Sequence, residues 1–516
     1  MNKRRTNTAR TPQNPGAEMR SPWTGRTAAA LQSALRLSQE AFAAHLGISP
    51  RTVAAWHQKP TVKPQSEMQQ LLDRALAQAA PDAQARFADL TSPPTSDRLQ
   101  LDPNIVAALD WVDAQAGWTP GTARTRVAAR AAQLDPHQLQ DRGHHRARIS
   151  QRDIADALTA YYGPTPLYRA HFGHQLLTTS IVTRPDWLDI AVPLIASNDR
   201  IRATATSSHA ADLDADAAIN RLAETLTLET RLVNAPLYRL TSIDVGLQRI
   251  EGTAGIASFV EYALTLDLLE AELIDAITAG STALPLRDRY LPNLPAVLDV
   301  GSRLCAGGAL ALTAIARPAD PFRGPADYLL LIQERSGHVV NAARRLAVIP
   351  KGFHQPVTDI RADAQVGATL RREMEEELFG RADIDSTIGD QRSADPMHPS
   401  RLSEPLRWLL AHPGRLRMEC TGFGLNLVSG NYEFASLIVI QDEDFWPQFG
   451  GMVEANWEST SLRRYSTQDP DIIGDLLGDV AWSNEGLFAM LQGLRRLVEL
   501  DPTRVALPPL DWEITE

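Results

Sequence analysis

The stretch Leu35–Pro60, LRLSQEAFAAHLGISPRTVAAWHQKP, sets the reading of the first part of this chain. Ser38 can cap a helix that carries Phe42, Ala43 and Leu46 on one face. Gly47 follows directly, where a tight turn needs a residue tolerating positive φ. Ser49 can cap a second helix, and Pro50 fills its first position, where a missing amide hydrogen costs nothing. Val53 and Trp56 then face inward at helical spacing, and Lys59-Pro60 ends the run. Two short helices around a glycine turn, the second capped and open to solvent, fit the major groove of DNA.

The charge around this stretch points the same way. Residues 1–63 hold ten basic side chains against only Glu18 and Glu40, a balance of +8, while the whole chain carries −11, so the remainder carries −19. A basic head on an acidic body is the layout expected when only the head meets a polyanion. The scarcity of lysine, four against 47 arginines, says little about function.

With those residues in view, Leu35–Pro60 resembles the Xre/Cro family of helix-turn-helix DNA-binding domains, through Ser38-Gln39, Phe42-Ala43, Leu46-Gly47-Ile48-Ser49, Thr52-Val53 and Trp56. The resemblance implies that Gln39 meets a phosphate, that Ser49 sits at the DNA-facing helix start, and that Pro50, Arg51, Thr52 and Ala55 face base edges. Arg51 is the side chain suited to bidentate guanine recognition. Where the family usually has a glutamate and then a glycine after the aromatic, this chain has His57 and Lys59. The opening of the motif recurs at Ser150-Gln151, Ile154-Ala155 and Leu158, but Tyr161-Tyr162-Gly163-Pro164 follows, which reads as one ordinary helix with no second.

The second informative stretch is Ile349–Gly380, IPKGFHQPVTDIRADAQVGATLRREMEEELFG. Val366, Leu370, Met374 and Leu378 form an apolar helical stripe. At 100° per residue, Glu373, Glu376 and Glu377 fall within an arc of about 100° beside it. Carboxylates so close repel one another unless a cation sits among them, and hard oxygen ligands suit Mg²⁺. The alternative is a solvated helix whose glutamates pair with Arg371 and Arg372.

Arg372-Glu373-Met374-Glu375-Glu376-Glu377 resembles the centre of the Nudix box, and Ile349-Pro350-Lys351-Gly352-Phe353 resembles its usual lead-in. Strand-like Ala309–Ala316 and Tyr328–Gln333 precede the helix; Arg417–Leu427 and Phe434–Gln441 follow it. The resemblance implies metal ligation by Glu373, Glu376 and Glu377, with Glu376 or Glu377 orienting an attacking water, as metal-assisted phosphoryl chemistry requires. Three features depart from the pattern: the loop is six residues longer, Ala364 stands where the pattern has a glutamate, and Phe379 where it has glycine. Asp359 or Asp363 is the substitute carboxylate to look for.

Weaker candidates are His144-His145 with Arg142, Arg146 and Arg148 for phosphate, and Trp446, Asn456, Trp457 and Glu458 for a pocket. Cys305 and Cys420 have no spacing that suggests a disulfide framework or zinc, and read as buried and inert. The longest apolar run, Cys305 to Ala316, is too short to cross a bilayer, and the opening residues lack the apolar core of a secretory signal. A cytoplasmic protein with no membrane partner is expected.

The chain is therefore expected to be multidomain: a flexible basic arm over 1–24, an all-α helix-turn-helix domain over 25–78, a linker over 79–102, a helical region over 103–165, a mixed α/β region over 166–299, an α+β Nudix-like domain over 300–500 and a tail over 501–516. Residues 215–280 read as helical, Ile256–Ala279 most of all. The function expected is sequence-specific transcription regulation on double-stranded DNA, as a homodimer, with the Nudix-like domain sensing a nucleotide or phosphorylated metabolite. Two alternatives stand beside it: a Mg²⁺-dependent hydrolase of nucleoside diphosphate-linked substrates with an accessory DNA-binding domain, and a protein-docking scaffold. The degenerate box favours a sensor over an enzyme.

Overall fold

A computed structural model describes residues 23–59, 62–90, 95–204, 212–335, 344–381, 397–453 and 459–515. The chain divides into two compact units, Met1–Pro94 and Thr95–Glu516. The basic arm expected over 1–24 lies outside the described residues, apart from Trp23 and Thr24.

The first unit is all helix: α1 (Gly25–Ala34), α2 (Gln39–Leu46), α3 (Pro50–Gln58), α4 (Ser66–Gln78) and α5 (Pro81–Leu90). Its boundaries follow local chemistry. Thr24 and Thr27 form a reciprocal capping box on α1. Ser38 accepts a hydrogen bond from the Ala41 amide at 3.1 Å, Gly47 turns the chain at φ +68°, and Ser49 accepts from the Arg51 amide at 3.2 Å. The core gathers Trp23, Leu31, Phe42, Leu46, Val53, Trp56 and Leu72. The linker expected over 79–102 is instead largely helical: α5 packs on α1, the Arg86 guanidinium donates to the Ala34 carbonyl at 2.9 Å, and Phe87 lies 5.3 Å from the Trp23 ring. Pro93-Pro94 of that expected linker lies outside the described residues.

Gly25 shows how tightly α1 seats on α3. Its amide donates to the Val62 carbonyl at 2.7 Å, and a Cβ there would run into the Trp56 and Lys59 carbonyls. Gly25→Ala should therefore destabilise the first unit by about 1–3 kcal/mol through overpacking against rigid backbone. Hydrogen exchange in α1 and α3 of the full chain would measure it, and unchanged protection would refute the close fit.

The second unit begins with helices α6 (Thr95–Leu101), α7 (Pro103–Gln115), α8 (Thr122–Ala131), α9 (Pro136–Arg146) and α10 (Gln151–Tyr162). Strands β1 (Leu167–Phe172), β2 (Gln175–Val182), β3 (Leu188–Pro193) and β4 (Asp199–Ala203) lead to α11 (Ala215–Thr227), β5 (Pro236–Gly246) and β6 (Arg249–Ser258). Helices α12 (Phe259–Ala263), α13 (Leu268–Ala279), α14 (Pro285–Tyr290) and α15 (Leu294–Leu298) follow. Then come β7 (Gly307–Arg317), β8 (Asp327–Arg335), β9 (Leu346–Val348), β10 (Lys351–Phe353) and α16 (Val366–Glu373), which continues as a π-helical turn through Leu378. The chain closes with α17 (Glu404–Leu410), β11 (Leu416–Asn426), β12 (Tyr432–Ile440), α18 (Phe445–Phe449), β13 (Ser459–Ser466), α19 (Pro470–Leu477), α20 (Asn484–Leu500) and β14 (Leu510–Ile514).

Most of these strands form one mixed sheet of eleven, ordered β13-β8-β7-β12-β11-β2-β1-β14, with β10 on β7, β3 on β11 and β9 on β8. β7 and β12 run parallel, and the other pairs of this sheet run antiparallel. Strands covered on both faces read as near-continuous apolar runs, and β12 is buried along its whole length. Alternate residues serve opposite faces: Ala309, Ala311 and Ile315 of β7 join the core that holds Leu370 and Met374 of α16. Leu310, Leu312 and Ala314 join the core that holds Phe488 and Leu491 of α20. The two helices thus lie on opposite faces of the sheet. A smaller sheet, β4-β6-β5, stands apart.

Three expected boundaries dissolve here. Residues 166–299 are not a body separate from 300–500, because β1, β2 and β3 share the large sheet and Asp199 on β4 accepts the Gly367 amide of α16 at 2.9 Å. The tail over 501–516 supplies an edge strand, β14, paired with β1. The helical reading of 215–280 holds for α11 and α13 but misses the hairpin β5–β6, which includes Ile256. Among the described residues no helix is long and apolar enough to cross a membrane.

Candidate functional site

The first candidate surface is built by α2 and α3. Val53 is fully buried and Trp56 nearly so, which anchors one side of α3 in the core. The opposite side is open: Gln39, Ser49, Pro50 and Arg51 are exposed, and Thr52 and Ala55 half-buried. Ser38, Gln39, Pro50, Arg51 and Ala55 line one open groove of about 720 Å³. The residues singled out in sequence thus share a solvent-facing concavity. His57, one of the departures from the family pattern, places Nε2 2.6 Å from the Gln32 Oε1 and so ties α3 to α1.

The second candidate is the glutamate helix, and it differs from the expectation. The glutamates are not on a solvated face: Glu375 and Glu377 are fully buried and Glu373 and Glu376 nearly so. A π-turn over Met374–Leu378, with the Phe379 amide donating to the Met374 carbonyl, replaces the α-helical spacing at their own position. Protein groups answer each carboxylate, and two of them share one guanidinium. Arg372 reaches Glu373 at 2.8 Å and Glu376 at 3.6 Å. Glu377 accepts the Lys351 amide at 2.7 Å. Glu375 accepts from the Ser403 hydroxyl at 2.6 Å and from Arg381 at 2.9 Å.

These residues do not fit a Mg²⁺ centre. Among the described residues no three His, Cys, Asp or Glu side chains converge as metal ligands would. The substitute carboxylates are occupied as well: Asp363 accepts the amides of Val357, Thr358 and Asp359, and Asp359 those of Arg361 and Ala362. At the vacant glutamate position, the Ala364 carbonyl accepts Nε2–H of His354 at 2.9 Å. Burial lowers the pKa of that histidine to about 4, so its ring is neutral at ordinary pH.

The weaker candidates disperse. Arg142 pairs with Glu224 and Arg146 with Asp275, so neither is held ready for phosphate. Trp446 lies under Arg464 and against Gly450, while Asn456, Trp457 and Glu458 fall outside the described residues. Cys305 and Cys420 are free and buried; burial raises both thiol pKa values, that of Cys420 to about 12. The repeat at Ser150 caps the single helix α10, with β1 next after it.

One polar cluster was missed. The ammonium of Lys351 lies 2.5 Å from Glu485, at the start of α20. Asn426, ending β11, donates to Glu485 at 3.2 Å and to Glu433 of β12 at 3.5 Å, and accepts from Asn484 at 2.7 Å. Asn426, Glu433, Asn484 and Glu485 are buried and Lys351 is half-buried. Glu433 was the available signal, a carboxylate inside an otherwise apolar strand. Burial, reinforced by Glu485, raises its pKa well above the usual glutamate range.

No protein-family model matches this chain, and no curated protein matches it in sequence.

Proposed function

We propose that this chain is a sequence-specific regulator of transcription that reads double-stranded DNA through an Xre/Cro-type helix-turn-helix, α2–Gly47–α3. The observation that carries the proposal is the disposition of α3. Val53 and Trp56 hold it from one side, and Arg51 stands on its exposed side beside Gln39 in a single groove. That arrangement can set a guanidinium against a guanine edge while an α2 N-terminal side chain meets the phosphates. Readers of this type act as homodimers on half-sites about 34–36 Å apart, and we include dimerisation in the proposal.

The second unit serves, in this reading, as a Nudix-like sensor of a nucleotide or phosphorylated metabolite. Support comes from the order of strands around α16, with the Lys351–Phe353 strand before it and helices on both sheet faces. A hydrolase would need Glu373, Glu376 and Glu377 to converge on a cation; Glu373 and Glu376 instead share Arg372 and Glu377 accepts the Lys351 amide, which gives that alternative no support.

The test is selection of bound sequences from a random duplex library with the full chain, followed by titration of Arg51→Ala. The variant should lose about 1–3 kcal/mol on the selected site and relax specificity at one base pair. Failure to enrich any sequence would sink the proposal, and equal loss on every duplex would reduce Arg51 to a phosphate contact.

A further inference from the structure

The missed cluster borders a cavity of about 20 Å³ inside the second unit. That is room for one water-sized particle. Its walls come from four places: α10 through Gln151, α13 through Glu270, the β11–β12 turn and strand through Ser429, Asn431 and Glu433, and the start of α20 through Glu485.

Three polar atoms on these walls are buried and have no hydrogen-bond partner: Gln151 Oε1, Ser429 Oγ and Asn431 Oδ1. Each belongs to a residue at least nine-tenths buried. Unsatisfied buried groups of this kind are costly and call for an occupant. The amide orientation of Gln151 is fixed, because its Nε2 donates to the Trp482 carbonyl at 2.7 Å and a carbonyl can only accept. Asn431 lies 3.1 Å from the Tyr262 hydroxyl, a group that can donate or accept. Gln151 therefore turns an oxygen, not hydrogens, toward the cavity, and Asn431 can do the same.

Charge argues in the same sense. Glu270, Glu433 and Glu485 border one space, while the Lys351 ammonium bonds to Glu485. Arg345, whose guanidinium donates to the carbonyls of Ala147, Ile149 and Arg146, acts electrostatically on Glu270 and Glu485. The cluster already accommodates one ammonium group, that of Lys351, and its unpartnered atoms can all accept from another.

We propose that this cavity is a binding site for one ammonium ion, held by Gln151 Oε1 and the Glu433 carboxylate with the Asn431 amide oxygen turned to it. The site is distinct from the DNA-reading surface and does not depend on that reading. An ammonium offers donors in several directions and one positive charge, which matches a carbonyl oxygen beside a carboxylate. A phosphate or nucleotide is too large for this space and would face Glu270, Glu433 and Glu485.

The experiment uses the full chain without DNA. Thermal denaturation is followed while ammonium chloride replaces sodium chloride at constant ionic strength and pH. A saturable rise in the midpoint of the second unit is expected, because a ligand that binds only the folded state stabilises it. Tetramethylammonium, which has no N–H, should give no rise. Gln151→Leu and Glu433→Gln should each shift half-saturation at least tenfold higher. No saturable response, as expected of a single buried water, would overturn the proposal. So would an equal response to potassium or tetramethylammonium, or a response that Gln151→Leu leaves unchanged.

Discussion

Trp56→Ala is expected to unfold the first unit of the full chain at temperatures where the wild type is native, and to abolish the proposed DNA binding with it. Trp56 is 4 % exposed and packs in a core of few members. Deleting a buried Trp side chain costs about 3–5 kcal/mol once the cavity left behind is included. A unit of this size has only about 5–15 kcal/mol of stability to lose, and each kcal/mol shifts its midpoint by about 4–8 °C. The loss is structural, so it should differ in kind from that of Arg51→Ala, whose side chain is exposed and whose variant should fold normally. Hydrogen exchange separates the two. In Trp56→Ala, protection should vanish across α1–α4 while the sheet of the second unit keeps it. Retained protection together with retained DNA affinity would mean that α3 does not depend on its inner face.

What could be read in advance follows from where the information lies. Ser38, Gly47, Ser49 and Pro50 act on their own neighbours, so the limits of α2 and α3 are encoded within a few residues and the structure reproduces them. β6 takes its second partner from β4, across α11, and β14 pairs with β1 from the far end of the sequence. Strand formation is largely a matter of fitting a surface, which local pattern reports poorly. The glutamate helix was legible as a helix, but its chemistry was not. Three carboxylates spaced for one face acquired a π-turn and burial; Glu373 and Glu376 share Arg372 of their own helix, while Glu377 takes the Lys351 amide, a partner that no helical wheel contains. The cavity is the extreme case, since Gln151, Glu270, Asn431 and Glu485 come from four separate elements.

The second large effect is expected at Lys351. Lys351→Met removes the cation that faces Glu485, a carboxylate only 5 % exposed, and leaves that charge buried and unmatched. Breaking a buried ion pair in this way costs about 3–5 kcal/mol, whereas removing both charges together often costs little. The double variant Lys351→Met/Glu485→Gln should therefore be more stable than Lys351→Met alone. The pH dependence has a definite sign. Burial by itself raises the pKa of Glu485, but the attraction and hydrogen bond of Lys351 outweigh it and hold the carboxyl below its ordinary range. In the wild type this contribution is present above the unfolded glutamate pKa, about 4.3, and is lost as pH falls through the lower folded value. In Lys351→Met only hydrogen bonds such as that of Ser483 still oppose burial, so the pKa of Glu485 should rise, and acid relieves the penalty by protonating it. Urea unfolding at neutral pH and in the glutamate range should show a gap between wild type and variant that narrows toward acid. A gap independent of pH, or a double variant as unstable as the two single changes added together, would show that Lys351 acts through packing of its methylene stem and not through its charge.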